Sequence, residues 1–259
     1  MDRLEVRLTH PCHLVHNPIV DDTREAPKET LFVVMPAYNE AQAVEAVVRE
    51  WIPVLRERAE RFTLFCIDDG STDDTGRILD GLALEIPELE VIHKQNEGHG
   101  AACRDGYRAC LDRGAAWMLQ LDSDGQCDPA DFRAFWENRE AGPVFGSRRR
   151  EDGASRIAIS FALSKVVRWR TGMSVPDPNV PFRLLHREVL AGALDALPSE
   201  FELYNVGLTA SVAHRHAIRW MPIRFRKRIG GETTTSWLGL AGRCVRVIRD
   251  LGRLRGRSD

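Results

Sequence analysis

The 259-residue chain has no CxxC pair and no closely spaced cysteine framework, although it holds six cysteines, Cys12, Cys66, Cys103, Cys110, Cys127 and Cys244. A disulfide-stapled scaffold is excluded, and the six are read as reduced thiols in a cytosolic protein. No stretch reaches the roughly 18 uninterrupted apolar residues of a membrane span. No apolar segment follows Met1-Asp2-Arg3, so no secretory signal is visible. Helix-turn-helix, RRM and zinc-finger patterns are all missing, and no nucleic acid is expected as a partner. His10, Cys12, His13 and His16 meet no zinc spacing. Internal repeats and low-complexity tracts are absent as well.

A large net charge is also lacking, since the formal total is −2, but the charges are unevenly placed. From Arg215 to Asp259 twelve Lys and Arg residues accompany three acidic ones, whereas Asp68 to Asp74 alone holds four aspartates. A basic end and an acidic centre point to anionic material meeting the one and a cation held by the other. Length and a hydrophobic fraction of 43% fit one large α/β domain.

Residues 1–30 carry Pro11, Pro18 and Pro27 without sustained periodicity and read as an N-terminal extension. From Leu31 short apolar runs alternate with helical periodicity, the signature of βαβ units and a mostly parallel sheet. Strands are expected at 31–35, 63–67, 89–93, 116–121, 144–146 and 218–225, with helices between and after them. Asn39 is expected to cap the first helix in a box with Gln42, Pro53 to kink or end it, and Thr72 to cap the second. The domain is drawn over 31–235, and 236–259 reads as a basic amphipathic helix beginning near Trp237.

The chemistry concentrates where strands end. Asp122-Ser123-Asp124 follows directly on the apolar run Trp117 to Leu121, placing two carboxylates where that strand leaves the sheet. Oxygen ligands of this kind suit Mg2+ or Mn2+, with Gln126 offering a further oxygen and Gly125 the bend. This turn is expected to be exposed. Pro36-Ala37-Tyr38-Asn39-Glu40 ends the first strand, Asp68-Asp69-Gly70-Ser71-Thr72-Asp73 the second and Asn96-Glu97-Gly98-His99-Gly100-Ala101-Ala102 the third. Four consecutive strands thus finish in polar turn clusters. No Gly-rich phosphate loop follows the first strand, which argues against a sugar nucleotidyltransferase.

In these motifs, in this order, the chain resembles the family of inverting glycosyltransferases, commonly called family 2, that includes dolichyl-phosphate and polyprenyl-phosphate sugar synthases. The likeness runs from Leu31 to about Glu232 and continues through Gly146-Ser147-Arg148 and the stretch from Asp177 to Pro181-Phe182-Arg183. It implies a GT-A fold, an αβα sandwich that binds a nucleotide-sugar donor, UDP- or GDP-linked, with a divalent cation at the D-x-D motif. By matching positions, Pro36, Tyr38, Glu40, Ile67 and Asp69 would hold base and ribose. Asp122, Ser123, Asp124 and Gln126 would surround the diphosphate and metal, and Arg148 and Arg228 would hold phosphate or acceptor. The implied activity is that of a hexosyltransferase acting on a polyprenyl phosphate at the cytoplasmic membrane face. Where such members often carry Lys after G-E-S, this chain reads Gly231-Glu232-Thr233-Thr234-Thr235, and a saccharide or other soluble hydroxyl acceptor stays open.

A hydroxyl acceptor needs a general base, whereas a phosphate acceptor is already ionised and needs only cations to position it. Asp177 is the first candidate for an acceptor-side carboxylate, with Glu200 and Glu202 behind it. Trp237, Ala241, Val245, Ile248 and Leu251 recur at helical spacing beside Arg243, Arg246, Arg249, Arg253 and Arg257. That pattern suits an anionic membrane surface, and a peripheral place on the inner membrane face follows.

Overall fold

The computed structural model describes residues 30–148, 164–165, 167–169, 172, 175–198, 201 and 203–230. The N-terminal extension, Glu200, Glu202 and the basic C-terminal helix lie outside them. In chain order the strands are β1 (Thr30–Ala37), β2 (Arg61–Asp68), β3 (Leu89–His93), β4 (Trp117–Gln120), β5 (Val144–Arg148), β6 (Arg183–His186) and β7 (Arg219–Ile223). The helices are α1 (Val44–Arg58), α2 (Thr75–Glu85), α3 (His99–Asp112), α4 (Phe132–Glu137), α5 (Arg187–Ala196) and α6 (Tyr204–Arg215). Short 3-10 turns at Pro129–Asp131 and Arg139–Ala141 flank α4, so the helical stretch between β4 and β5 is broken into three pieces.

The strands form one seven-stranded sheet in the order β3-β2-β1-β4-β6-β5-β7. Pairing is parallel from β3 through β4 and again between β5 and β7, whereas β6 runs antiparallel to both neighbours. The sheet is therefore mostly parallel, as the alternation of strand and helix requires. β6 was not expected. Its four residues, Arg-Leu-Leu-His, offer neither length nor alternation, and only lateral pairing on two sides makes them a strand.

Why α1 persists is instructive. Val44, Val47, Val48, Trp51, Ile52 and Leu55 form its buried stripe, and each large side chain removed from water is worth about 1.5–3 kcal/mol. Pro53 lies inside the helix instead of ending it. It sits on the exposed face, as does Arg49 one turn earlier, so the carbonyl left without a donor can turn to water. Trp51 meets the rings of Phe132 and Phe182 at 6.2 Å and 5.7 Å, joining α1 to α4 and to the approach of β6. On the other side α3 lies almost backbone-to-sheet, since a Cβ on Gly106 would come 2.5 Å from Val34 Cγ1.

Two expected caps are replaced. α1 begins only at Val44 after Ala43, and α2 begins at Thr75 after Asp74, neither with a side-chain cap bond. Asn39 instead takes a left-handed φ of 54° and turns its side chain across to the next loop. Its Oδ1 accepts the Thr72 N–H at 2.8 Å, so neither Asn39 nor Thr72 is free to cap a helix.

Candidate active site

β1 lies between β2 and β4, with successive strands running outward to β3 on one side and returning to β4 on the other. The chain thus reverses direction of travel between β1 and β4, and in open α/β sheets the crevice at such a point, beyond the carboxyl ends of the strands, receives ligands. Parallel pairing brings the clusters after β1, β2, β3 and β4 to one edge. β5 points the same way, delivering Arg148 there, and antiparallel β6 begins there with Arg183 paired to Gln120. The segment after β7 then crosses the same edge, donating Arg226 N–H to Gln126 O at 2.8 Å and Ile229 N–H to Asp124 O at 2.9 Å.

The D-x-D turn is less exposed than its sequence implied. Ser123 and Asp124 are buried, and the Ser123 hydroxyl donates to the Pro36 carbonyl at 2.8 Å, tying the β4 turn to the β1 loop. Gly125 makes the bend at φ 76° beneath Ile229, where a side chain would collide. Asp124 Oδ1 accepts the Gln126 N–H at 3.0 Å, while Oδ2 takes Arg228 Nη1 at 3.2 Å. The second arm of Arg228 bonds Glu40, so this guanidinium bridges the β1 loop and the D-x-D turn. The Gln126 side chain spends its amide nitrogen on the Arg226 carbonyl at 3.2 Å.

Charge is crowded here. Burial, reinforced by Asp122, pushes Asp124 up to about 6 against the pull of Arg228. Glu40 is pushed up to about 7 by burial, with Arg228 opposing and Asp124 and Asp122 assisting. Asp122 Oδ1 is buried with no hydrogen-bond partner, and the nearest cationic candidate, His99 Nε2, stands 3.8 Å away. A buried carboxylate oxygen without a donor is costly unless something positive occupies its lone pairs. No group of three or more His, Cys, Asp or Glu side chains arranged for a metal occurs among the described residues. Two carboxylates of this hard-oxygen kind, completed by phosphate oxygens of a ligand, nevertheless fit Mg2+ or Mn2+.

The neighbouring loops hold the other expected residues, in varied states. Tyr38, in the loop after β1, is 44% exposed. Ile67 is wholly buried and close to Gly106 of α3, so only its backbone can meet a ligand. Asp69 is 2% exposed, and its oxygens accept the Glu97 and Gly98 N–H groups at 3.1 Å and 2.8 Å. Lys94 donates to it at 3.1 Å and to Glu97 at 2.6 Å. Asp69 therefore shapes the β3–α3 loop as much as it faces it. Arg148 and Asp177, expected separately, are paired to each other through two bonds.

Lys94 and Asn205 belong to none of the motifs above, and His99 and Arg183, which do, give no sign in the sequence of the contacts they make. Asn205 Oδ1 receives Arg183 Nη1 at 3.1 Å and lies 3.2 Å from the Tyr107 hydroxyl, which donates to Gln120 Oε1 at 2.5 Å. Asn205 Nδ2 stands 3.3 Å from His99 Nε2. This polar network backs the D-x-D turn. Its only sequence signal is polar residues at otherwise apolar positions of α3, β4 and α6.

Comparison with known proteins agrees with this geometry. Residues 32–187 match the family described as "Glycosyl transferase family 2". The undecaprenyl-phosphate mannosyltransferase of Micrococcus luteus is 30% identical over 83% of this chain and 90% of its own length. The polyprenol monophosphomannose synthase of Mycolicibacterium smegmatis is 26% identical over 92% of each. Among solved structures, glucosyl-3-phosphoglycerate synthase of Mycobacterium tuberculosis, crystallised with Mn2+, uridine diphosphate and glucosyl-3-phosphoglycerate, superposes with a TM-score of 0.64 at 21% identity. That alignment covers 89% of this chain and 81% of the other, and it shows a shared GT-A fold.

Proposed function

The chain belongs to glycosyl transferase family 2, and on that footing we propose that it moves a sugar from a UDP- or GDP-sugar to a polyprenyl phosphate at the cytoplasmic membrane face. The observation that carries the donor half is Asp122 Oδ1, buried without a hydrogen-bond donor beside Asp124 at the switch point of the sheet. The acceptor half is supported by two relatives that act on undecaprenyl and polyprenol phosphates and that this chain matches over nine-tenths of their length.

A divalent cation held by Asp122 and Asp124, with Gln126 close by, would supply neutralising charge for a nucleoside diphosphate leaving group. The protein's own residues prepare the rest. Ser123 fixes the turn to the Pro36 carbonyl, and the exposed Tyr38 follows in the β1 loop, where it would meet the base. Arg228 is bonded to Glu40 and Asp124 and can turn one arm to a phosphate without leaving the site. Asp69 and Lys94 hold the 94–98 loop against which base and ribose would rest. On the acceptor side, Asp177 is engaged by Arg148, which suits an acceptor that needs no base. Among the described residues no helix is long and apolar enough to cross a membrane. The basic 236–259 segment would bring the enzyme to the lipid surface peripherally.

The test is transfer of label from UDP- and GDP-sugars, with Mn2+, to undecaprenyl phosphate in detergent and, separately, to soluble saccharides. Label in the organic-extractable product supports the reading. Label only in a soluble glycoside would assign a hydroxyl acceptor instead, the alternative that the Gly231-Glu232-Thr233 departure keeps in view.

A further inference from the structure

His93, the last residue of β3, faces a carboxylate with each ring nitrogen. Nδ1 lies 2.9 Å from Asp68 Oδ2 and Nε2 lies 3.0 Å from Asp80 Oδ1. Carboxylate oxygens only accept, so satisfying both contacts requires a hydrogen on both nitrogens, which is the imidazolium form. Burial works against that charge, but the bonds donated to Asp80 and Asp68 outweigh it and raise the His93 pKa above its ordinary value. The charged groups facing the ring are Asp68 from β2 and Asp80 from α2. Lys94, next in the chain, turns instead to Asp69, Glu97 and Asp105, and Arg77 of α2 pairs with Asp74. Space is tight as well, for a Cβ on Gly76 of α2 would stand 2.9 Å from Asp68 Oδ2 and 3.3 Å from His93 Cε1.

The contacts continue toward the donor crevice. Asp68 Oδ1 accepts the Ser71 N–H at 3.0 Å, and the Ser71 hydroxyl oxygen accepts the Asn39 N–H at 3.0 Å. A line of hydrogen bonds therefore runs from Asp80 on α2 through His93, Asp68 and Ser71 to the loop after β1. Asp69, the carboxylate that braces the 94–98 loop, is the neighbour of Asp68 in the same turn.

We propose that His93 is a positioning residue for the donor site, clamping Asp68 to Asp80 as an imidazolium and thereby holding the Asp68–Ser71 turn in the form that receives the nucleotide. The proposal rests on the donor-site reading above. A neutral imidazole has a single N–H and serves one carboxylate at a time, so loss of the proton cuts the link between α2 and the turn. Because the folded pKa is raised, the clamp is complete below the ordinary histidine value of about 6.5 and is lost as pH rises through the higher folded value.

The experiment uses the full chain and reads three quantities. In nitrogen NMR near neutral pH both ring nitrogens of His93, assigned by their loss in His93→Gln, carry protons. Calorimetric affinity for UDP and GDP with Mn2+, followed from about pH 6.5 to about pH 9, weakens roughly 3- to 10-fold as the clamp opens. Asp80→Asn, at a half-exposed helix position, moves that fall to lower pH and leaves the acid-side affinity intact, while His93→Gln abolishes the step. Thermal unfolding of wild type loses more stability over the same pH range than that of His93→Gln, in which only the Glu40 and Asp124 contributions remain. One bare ring nitrogen at neutral pH, or wild-type and Asp80→Asn profiles that superimpose, overturns the proposal. Failure of every protein to bind either nucleotide would instead refute the donor-site reading, and the NMR and unfolding data would still decide the clamp.

Discussion

Arg148 and Asp177 grip each other side by side, Nε to Oδ2 at 2.5 Å and Nη2 to Oδ1 at 2.7 Å, with Asp177 only 4% exposed. Two parallel bonds between a guanidinium and a carboxylate are the strongest form such a pair takes. The same guanidinium lies 4.9 Å over the Phe225 ring, so one contact joins the end of β5, the approach to β6 and the segment after β7. Removing the cation leaves a buried carboxylate short of both bonds. Arg148→Ala should cost about 3 kcal/mol or more in urea unfolding, and Arg148→Lys should recover part of it. A loss under about 1 kcal/mol would mean that the pair is not what holds these three segments together.

Asp122 and Asp124 call for different substitutions. Asp124 supports the fold, since it receives the Gln126 N–H and Arg228, and its replacement mixes structural with functional loss. Asp122 Oδ1 accepts no hydrogen bond and meets only His99 Nε2, at 3.8 Å. Asp122→Asn is therefore expected to unfold within about 1 kcal/mol of wild type, near the centre of the range for point substitutions and well short of the loss of a closely paired buried carboxylate. It should also lose Mn2+-dependent UDP or GDP binding by tenfold or more. Calorimetry with and without Mn2+ checks this, and unchanged Mn2+ dependence in the variant would remove Asp122 from the cation site.

Much of this was legible because parallel sheets write themselves plainly in sequence. Leu31 to Met35, Thr63 to Ile67 and Leu89 to His93 are buried or half-buried runs ending in turn residues, and each became a strand at nearly those bounds. The polar clusters at their ends reached one edge because parallel strands must end together. What escaped was set by lateral contact. β6 exists through its pairing with β4 and β5, and Asn39 gives its side-chain oxygen to the Thr72 N–H, 33 residues on, in place of a helix N–H. Asn205 and Lys94 look like ordinary surface polar residues until α6 and the β3–α3 loop carry them inside.

Recruitment to a lipid surface is testable apart from chemistry. Arg243, Arg246, Arg249, Arg253 and Arg257 recur on one side of the pattern that begins at Trp237, and each is worth about 1 kcal/mol near an anionic membrane, a sum that salt erodes. Truncation before Trp237 should reduce co-sedimentation with anionic vesicles at low salt and change little with neutral ones. Equal sedimentation of full-length and truncated protein in all conditions would defeat the membrane-surface reading.

The protons held by Asp124 and Glu40 give the cation a pH signature with a definite sign. Burial, with the neighbouring carboxylates, lifts Asp124 to about 6 and Glu40 to about 7, above the roughly 4 of each in an unfolded chain. Across that window the folded state holds more protons than the unfolded one, so these two groups withdraw stability as pH rises from about 4 through 7. A cation at Asp124 must displace its proton, so its affinity falls as pH drops through about 6, by up to about tenfold per unit for one proton. The two effects have opposite slopes. Thermal melts at about pH 5, 5.75 and 6.5, below the range in which the His93 clamp opens, should show the shift produced by Mn2+ with UDP or GDP growing with pH. Asp122→Asn, which removes a carboxylate that both lifts Asp124 and faces the ion, should abolish that growth. A Mn2+ shift of equal size at all three pH values would show that the ion does not compete with the buried protons, and would place it away from Asp124.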